Sequence, residues 1–227
     1  MKKIAAYGVH VLTALGAALG LWALILTYDG FYQKALWVLA ISVIIDSIDG
    51  TLARAADTKK NASKIDGGLM DNIIDFTTWT VTPLLWIYAT MHLPVWVLLI
   101  CAIASAFGFS NTQAKTEDNF FLGFPSYWNI VVLYIFLLDL PWQFASGILL
   151  IFAFATFLPV KFLYPTRTNF LRVLTLTLGS IYAVQLLALL YYFDKSPAWL
   201  VYTSFIFPFY YFGLSFYVNM KPTETFE

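Results

Sequence analysis

The chain has 227 residues, of which 60% are hydrophobic and only 11% are charged, and its formal net charge is zero. Soluble domains average about 45–50% apolar and about 25% charged residues, so this composition excludes an ordinary soluble protein and predicts a membrane-embedded one. The net charge indicates no particular partner, and we expect the protein not to bind nucleic acid. The single cysteine, Cys101, excludes an intrachain disulfide.

Long apolar runs, separated by polar residues, proline or glycine, predict eight transmembrane helices, because an open sheet edge cannot face lipid. The predicted fold class is an all-α polytopic membrane protein with one transmembrane domain over 1–227. The start Met1–Lys3 resembles a signal peptide, but no small-residue cleavage site follows, so we expect the first helix to be retained. The predicted helices are 5–27, 32–55, 67–90, 93–112, 126–140, 142–160, 171–193 and 197–219.

The basic residues lie almost entirely on one side of these predicted helices. Of the thirteen, only Lys34 and Lys195 fall on the opposite side. Because lysine and arginine concentrate in cytosolic loops, both termini are predicted to be cytosolic, which agrees with an even number of helices. The remaining eleven are Lys2, Lys3, Arg54, Lys59, Lys60, Lys64, Lys115, Lys161, Arg167, Arg172 and Lys221.

Two of the predicted helices each carry a pair of aspartates near the cytosolic side. Asp46 and Asp49 are three residues apart at the end of the second helix, and Asp71 and Asp75 are four apart at the start of the third. Each pair therefore shares one helical face. A short loop makes the two helices antiparallel neighbours, so the four carboxylates are predicted to meet at one depth just inside the cytosolic boundary.

A meeting of four carboxylates requires compensation. Each acidic residue at the centre of a membrane helix costs roughly 2.5–3.5 kcal/mol, and like charges repel. Divalent cations with oxygen ligands remove this cost, and a pair of them is able to clamp a phosphoryl group. The sequence therefore predicts a site for Mn²⁺ or Mg²⁺, with two ions. Asp57 and Asp66, in or beside the intervening loop, are interpreted as solvated charges at helix ends.

Small and basic residues accompany the aspartates. Gly50 lies one turn after Asp46 and Gly67 one turn before Asp71, so both leave room for a phosphate near the backbone. Arg54, at the rim, is able to pair a phosphate with two hydrogen bonds. The two histidines, His10 and His92, are isolated, and they are interpreted as packing or interface residues.

This arrangement resembles the signature of the CDP-alcohol phosphotransferases, which displace CMP from a CDP-linked donor with an alcohol. The twelve residues between Arg54 and Gly67 form a longer spacer than most of the family has. The spacer, the 227-residue length and the stretches from Phe124 to Asn129 and from Tyr164 to Thr168 are similar to bacterial members that condense choline with CDP-diacylglycerol. The motif residues are Asp46, Asp49, Gly50, Ala53, Arg54, Gly67, Asp71 and Asp75.

The resemblance implies a reaction and a set of site residues. The phosphatidyl group of CDP-diacylglycerol passes to choline, and CMP is released. The implied metal ligands are Asp46, Asp49, Asp71 and Asp75, with Asp75 also acting as general base. The implied CDP-binding residues are Asp46, Asp49, Gly50, Ala53, Arg54, Gly67 and Asp71. The resemblance also implies a catalytic core around 32–90, with additional helices to 219, and a homodimer.

Aromatic residues at cytosolic helix ends are candidates for binding choline. A quaternary ammonium has no donor and is recognised by aromatic faces, which Tyr127, Trp128 and Tyr164 offer. Asn129 is a candidate for orienting the hydroxyl. An interfacial aromatic belt is the alternative interpretation of the three aromatic residues.

Two basic residues are candidates for binding the donor's phosphates, namely Lys115 and Arg167. Their alternative role is to set topology and to contact anionic membrane lipids.

Other acceptor alcohols also stay open for the enzyme: ethanolamine, serine, inositol phosphate or glycerol phosphate. A divalent-cation transporter is the alternative from another class, although such sites usually lie near the membrane midplane. The expected location is the bacterial inner membrane, with the site facing the cytosol.

Overall fold

A computed structural model describes residues 2–116, 118–165, 168 and 170–220. A π-helical segment, Phe76–Val81, joins α4 to α5, and a short 3₁₀ turn follows α9. The strands are β1 (Phe120–Leu122) and β2 (Lys161–Leu163). The helices are α1 (Lys2–Tyr28), α2 (Tyr32–Ala55), α3 (Thr58–Asn61), α4 (Gly67–Asp75), α5 (Thr82–Met91), α6 (Val95–Ser110), α7 (Trp128–Leu137), α8 (Trp142–Ala155), α9 (Arg172–Tyr192), α10 (Ala198–Ser204) and α11 (Ile206–Asn219).

Helices occupy each of the eight predicted ranges, but they differ in length. Within the described part of the chain, α1, α2 and the helical run Arg172–Lys195 are long and apolar enough to cross a membrane. Large apolar side chains stand exposed on the outer faces, including Phe144 at 70% and Val173 at 80% exposure, as is typical of surfaces that face lipid. The number of membrane spans and the side of the termini stay predictions.

Helix α1 packs closely against the third predicted helix because two glycines remove side-chain bulk. A Cβ atom at Gly16 would lie 2.7 Å from Cγ2 of Ile74, and one at Gly20 would lie 3.0 Å from Cγ2 of Thr77. Small residues spaced four apart let the backbones of membrane helices approach each other. Helix α1 therefore lies directly beside α4 and the π-helical segment.

The third predicted helix is not a regular α-helix throughout, since the π-helical segment begins directly after Asp75. Pro83 lacks a backbone N–H and cannot donate to the carbonyl four residues before it, which weakens the regular α-helical pattern here. Thr78 also directs its hydroxyl to the Ile74 carbonyl at 3.1 Å. π-Helical segments occur frequently at functional sites, and they rotate the side chains that follow to a different face of the helix.

Strands β1 and β2 form a small antiparallel sheet that the all-α prediction omitted, because three-residue strands show no detectable alternation. Phe120 pairs with Leu163 across the sheet. Helix α11 holds β2 in place, since Tyr211 donates its hydroxyl to the Leu163 carbonyl and Ser215 accepts from the Leu163 N–H, both at 3.1 Å. The sheet thereby connects the loops after α6 and α8 to the C-terminal helix.

An ion pair closes one end of this sheet. Lys161 Nζ lies 2.5 Å from Asp118 Oδ2, and both side chains are between a quarter and a third exposed. Burial by itself raises the pKa of the Asp118 carboxyl, but the hydrogen bonds from Lys161 and Thr116, with the charge of Lys161, outweigh it and hold that pKa below its ordinary value. The backbone of Lys161 also pairs with the Asn219 side chain of α11.

Candidate active site

The turn between α2 and α4 brings the two halves of the site together. Asp57 adopts a left-handed conformation, with φ of 48°, directly before α3. Asp66 caps α4, because its Oδ1 atom accepts a hydrogen bond from the Leu69 N–H at 3.0 Å. Asn72 donates to the Phe109 carbonyl at 3.0 Å and so holds α4 against α6. Both acidic loop residues are exposed, as expected of charges at helix ends.

Three of the four predicted aspartates form a compact cluster. Asp46, Asp49 and Asp71 each offer a carboxylate oxygen, and these three oxygens lie within 4.8 Å of one another. Asp49 is buried, with 7% exposure, and the other two are half-buried. Carboxylate oxygens at this separation fit a hard divalent cation such as Mg²⁺ or Mn²⁺. These three side chains could hold a divalent metal ion.

Asp75 adjoins this cluster without belonging to it. It lies one helical turn after Asp71, and the charges of Asp46 and Asp71 act on it. All four aspartates line one small cavity, whose free volume of about 10 Å³ suits a single ion or water molecule. The other lining residues are Thr13, Gly16, Ser42, Ile45, Ile74 and Thr78.

Helix α1 contributes residues that the sequence analysis did not place at the site. Thr13 donates its hydroxyl to Asp49 Oδ2 at 2.7 Å. His10, one turn earlier, is 5% exposed, and a Cβ atom at Gly67 would lie 3.0 Å from its Cε1 atom. A lone threonine in an apolar helix carries no motif. The pattern in the sequence that could have indicated them is the three-residue spacing of His10 and Thr13, which places these two on one helical face.

The cytosolic end of α2 carries the remaining motif residues. Arg54 is exposed and donates to Thr51 Oγ1 at 2.9 Å. A Cβ atom at Gly50 would lie 3.6 Å from Arg54 Nη1, so the guanidinium lies over Gly50. Ala53 is half-buried on the same helix. The structure thus keeps Gly50 and Arg54 together on α2, while Gly67 lies against α1.

The loop after α6 brings a positive charge to the acidic cluster. Lys115 is exposed, and its charge acts on Asp46, Asp71 and Asp75. Its backbone pairs with Phe121 of β1, which holds the loop in this position. Arg167, the other predicted phosphate ligand, lies outside the described residues.

Tyr127 lies beside the aspartates. Its hydroxyl is close enough to Tyr164, Asp46 and Asp75 for their charges to act on it. The ring centroid of Tyr127 lies 5.5 Å from that of Trp79, in the π-helical segment. Of the predicted choline-binding residues, Tyr127 therefore lies near both Tyr164 and the acidic cluster.

The small sheet positions Tyr164, which directly follows β2. Its ring stacks on Phe121 of β1 with centroids 4.4 Å apart. Its backbone N–H donates to Thr168 Oγ1 at 3.0 Å, and that hydroxyl donates to the Asn119 carbonyl at 2.8 Å. Tyr164 is therefore held by contacts between the loops after α6 and α8.

The other two predicted choline-binding residues lie elsewhere. Trp128 is fully buried, and its indole N–H donates to Ser105 Oγ at 2.6 Å. Its prediction as a choline ligand disagrees with this position, because a fully buried indole offers no face to a ligand. Asn129 accepts from the Ile130 N–H through Oδ1 at 2.8 Å. Neither residue lines the cavity between the aspartates.

Comparison with known proteins places this geometry in a family. The model of the CDP-alcohol phosphatidyltransferase family matches residues 9–159, a range that includes α1 and both helices of the aspartate cluster. A phosphatidylcholine synthase of Legionella pneumophila is 37% identical over 97% of this chain and 91% of its own length. That of Legionella bozemanae is 36% identical over 91% and 100%. That of Pseudomonas aeruginosa is 37% identical over 74% and 73%. The chain belongs to the CDP-alcohol phosphatidyltransferase family.

Proposed function

We propose that this integral membrane protein transfers the phosphatidyl group of CDP-diacylglycerol to choline, forming phosphatidylcholine and CMP. The observation that carries the proposal is the cluster of Asp46, Asp49 and Asp71, with Asp75 beside it. Several relatives at 31–38% identity are named phosphatidylcholine synthase, which favours choline over ethanolamine, serine, inositol phosphate or glycerol phosphate. Family membership likewise favours an enzyme over a divalent-cation transporter.

Metal binding is assigned to the carboxylates. Asp46, Asp49 and Asp71 are the proposed ligands of Mn²⁺ or Mg²⁺, and the sequence motif adds Asp75 at the edge of a site for two ions. Divalent cations held there supply positive charge to the phosphate oxygens of the donor. The free volume between the side chains supports room for one ion, and the second ion rests on the sequence motif.

Asp75 is the proposed general base. As the choline oxygen attacks the phosphorus that carries diacylglycerol, Asp75 accepts the hydroxyl proton. A new oxygen–phosphorus bond forms, and the bond from that phosphorus to the CMP oxygen breaks, so that its electron pair leaves with CMP. Attack and departure are in line. The position of Asp75 beside the three-carboxylate cluster supports this separate role.

Donor binding is assigned to the cytosolic rim of the same helices. The nucleotide is proposed to lie along Gly50, Ala53, Arg54 and Gly67, next to the clustered aspartates. Lys115 is proposed to contact the donor's phosphates, and its position near three of the aspartates supports this role. Arg167 keeps the same proposed role on the basis of the sequence.

Choline is proposed to bind where Tyr127 and Tyr164 lie near Asp46 and Asp75. Aromatic faces attract a quaternary ammonium, and nearby carboxylates add charge complementarity. The hydroxyl of choline then points toward Asp75. Asn129, whose Oδ1 atom accepts from the Ile130 N–H of its own helix, is proposed to orient that hydroxyl.

The remaining elements of the proposal concern the setting of the site. The distribution of basic residues supports an inner-membrane protein with cytosolic termini and a cytosolic site. A lipid donor then enters from the membrane and choline from the cytosol. The resemblance supports a homodimer surrounded by membrane lipids, with one catalytic domain built around 32–90.

The test is an assay of product formation by the purified chain in detergent. CDP-diacylglycerol and Mn²⁺ are incubated separately with choline, ethanolamine, serine, inositol and glycerol 3-phosphate, and CMP and lipid products are quantified. We expect CMP and phosphatidylcholine with choline alone, and loss of both with a chelator or in the Asp75→Asn variant. CMP release with another alcohol would remove the choline assignment. A folded protein that releases no CMP with any alcohol would remove the proposed reaction.

A further inference from the structure

We propose that Thr13 is a positioning residue of the metal site, which orients the Asp49 carboxylate through its hydroxyl. The inference rests on the metal-binding part of the proposed function, and it adds a residue from α1 to a site built from α2 and α4. In this arrangement Thr13 holds Oδ2 of Asp49 and leaves the other carboxylate oxygen, Oδ1, outside this hydrogen bond.

The hydrogen bond between Thr13 and Asp49 is short and buried. It joins residues 36 positions apart at 2.7 Å, and both residues are less than a tenth exposed. The same hydroxyl lies 3.3 Å from the Val9 carbonyl of its own helix. A hydroxyl has one proton, so the shorter contact, to a carboxylate, receives it. The Thr13 hydroxyl therefore donates to the Asp49 carboxylate and not to the carbonyl of its own helix.

The position of Thr13 is set by backbone packing. One turn further along α1, Gly16 lies so close to Ile74 that a Cβ atom would clash with it, and Gly20 packs in the same way on Thr77. These contacts hold α1 against the helix that carries Asp71. The distance from Thr13 to Asp49 is thus a property of three packed helices and not of one flexible side chain.

An outer hydrogen bond matters here because the carboxylates repel each other. Asp49 has Asp46 and Asp71 within 4.8 Å, measured between the carboxylate oxygens. The like charges of Asp46 and Asp71 favour rotation of the Asp49 carboxylate away from the cluster. A fixed hydrogen-bond donor on one of its oxygens opposes that rotation. Loss of such an outer partner typically weakens metal affinity by about 10–100-fold.

The experiment compares three substitutions on the same helix in the full chain, purified in detergent. Thr13→Val keeps the shape and removes the hydroxyl, whereas Thr13→Ser keeps the hydroxyl. Thr27→Val is the matched control, since Thr27 is also buried, at 1% exposure, and donates to the Ala23 carbonyl of α1 at 2.8 Å. Mn²⁺ is titrated, and free Mn²⁺ is measured by electron paramagnetic resonance.

We expect Thr13→Val to raise the dissociation constant for Mn²⁺ about 10-fold, while Thr13→Ser and Thr27→Val stay within about 2-fold of the unsubstituted chain. Thr13→Ala repeats the measurement with less bulk, in case valine impairs folding. Unchanged Mn²⁺ affinity in the valine and alanine variants overturns the inference. So does equal weakening by serine and valine, because the effect would then not depend on the hydroxyl.

This readout separates the inference from the proposed reaction. If the chain uses another acceptor or releases no CMP, Mn²⁺ affinity still reports on Thr13. If CMP and phosphatidylcholine form normally while Thr13→Val binds Mn²⁺ like the unsubstituted chain, only the inference fails. If the unsubstituted chain binds no Mn²⁺, the inference fails together with the metal-binding part of the proposed function.

Discussion

The acidic cluster and the aromatic side of the site are built in different ways. The cluster, Asp46, Asp49 and Asp71 with Asp75 beside it, comes from two neighbouring helices joined by a short turn. The aromatic side brings together Tyr127, at the start of α7, and Tyr164, after β2. The carboxylates depend on helix spacing, whereas the aromatic side depends on contacts between distant loops. Substitutions in the two regions should therefore differ in both size and kind of effect.

The largest effects should follow from changing the carboxylates. We expect Asp71→Asn to abolish Mn²⁺ binding and CMP release together, because it removes one of the three clustered carboxylates. Asp75→Asn should lower CMP release about 10³-fold and leave more of the Mn²⁺ affinity, because it removes the proposed proton acceptor. The measurements are the CMP assay and the Mn²⁺ titration. Asp57→Asn, in the loop, is the control and should leave both unchanged.

If Asp75→Asn reduced Mn²⁺ affinity as strongly as Asp71→Asn, Asp75 would be a full metal ligand. The distinction between the three-carboxylate cluster and the fourth aspartate would then disappear. A variant that kept full turnover would contradict the role of Asp75 as a base.

The packing of α1 against the cluster should be next in sensitivity. Gly16→Val is expected to destabilise the protein by about 1–3 kcal/mol, because the added side chain overlaps Ile74. It should also weaken Mn²⁺ binding by moving Thr13 away from Asp49. Thermal unfolding in detergent and Mn²⁺ titration measure the two effects. The control is Gly8→Val on the same helix, where a Cβ atom meets nothing within 4 Å. Equal stability of the two variants would contradict the close approach of the helices.

The aromatic side should give a smaller and more selective effect. We expect Tyr127→Ala to raise the KM for choline about 10-fold, because a cation–π contact is worth about 0.5–2 kcal/mol. The KM for CDP-diacylglycerol should change little. Steady-state assays with each substrate varied separately test this. Tyr191→Ala, at a tyrosine 71% exposed on α9, is the control. A rise in the KM of the donor alone would assign Tyr127 to the other substrate.

The ion pair at the sheet should have the smallest effect, and it should depend on pH. The pKa of Asp118 is lowered in the folded protein, so its contribution is present above the unfolded pKa of about 3.9 and is lost as pH falls through the lower folded pKa. Asp118→Asn should cost less than about 1 kcal/mol at pH 7, because the pair is partly exposed. The difference in melting temperature from the unsubstituted chain should shrink toward pH 3. A difference in melting temperature that grows as the pH falls would contradict a lowered pKa for Asp118 in the folded protein.

Local spacing determined much of the site. Spacing alone places Asp46 and Asp49 on one helical face, and Asp71 and Asp75 on another. The connection of twelve residues is short, so the two helices are expected to be neighbours. The apolar runs likewise predicted where helices lie, since the membrane requires each backbone polar group to be paired within its own segment. The same residues carried the family resemblance, which the match to residues 9–159 confirms.

Long-range contacts decided the rest. The hydrogen bond of Thr13 to Asp49 depends on glycines of α1 that meet Ile74 and Thr77, and no spacing rule predicts it. The same holds for the sheet of β1 and β2, whose strands are too short to show a pattern. Trp128, which the sequence suggested for choline, is instead directed into the core. A sequence determines which residues share a face of one helix, but only the packing of helices and loops decides which faces meet.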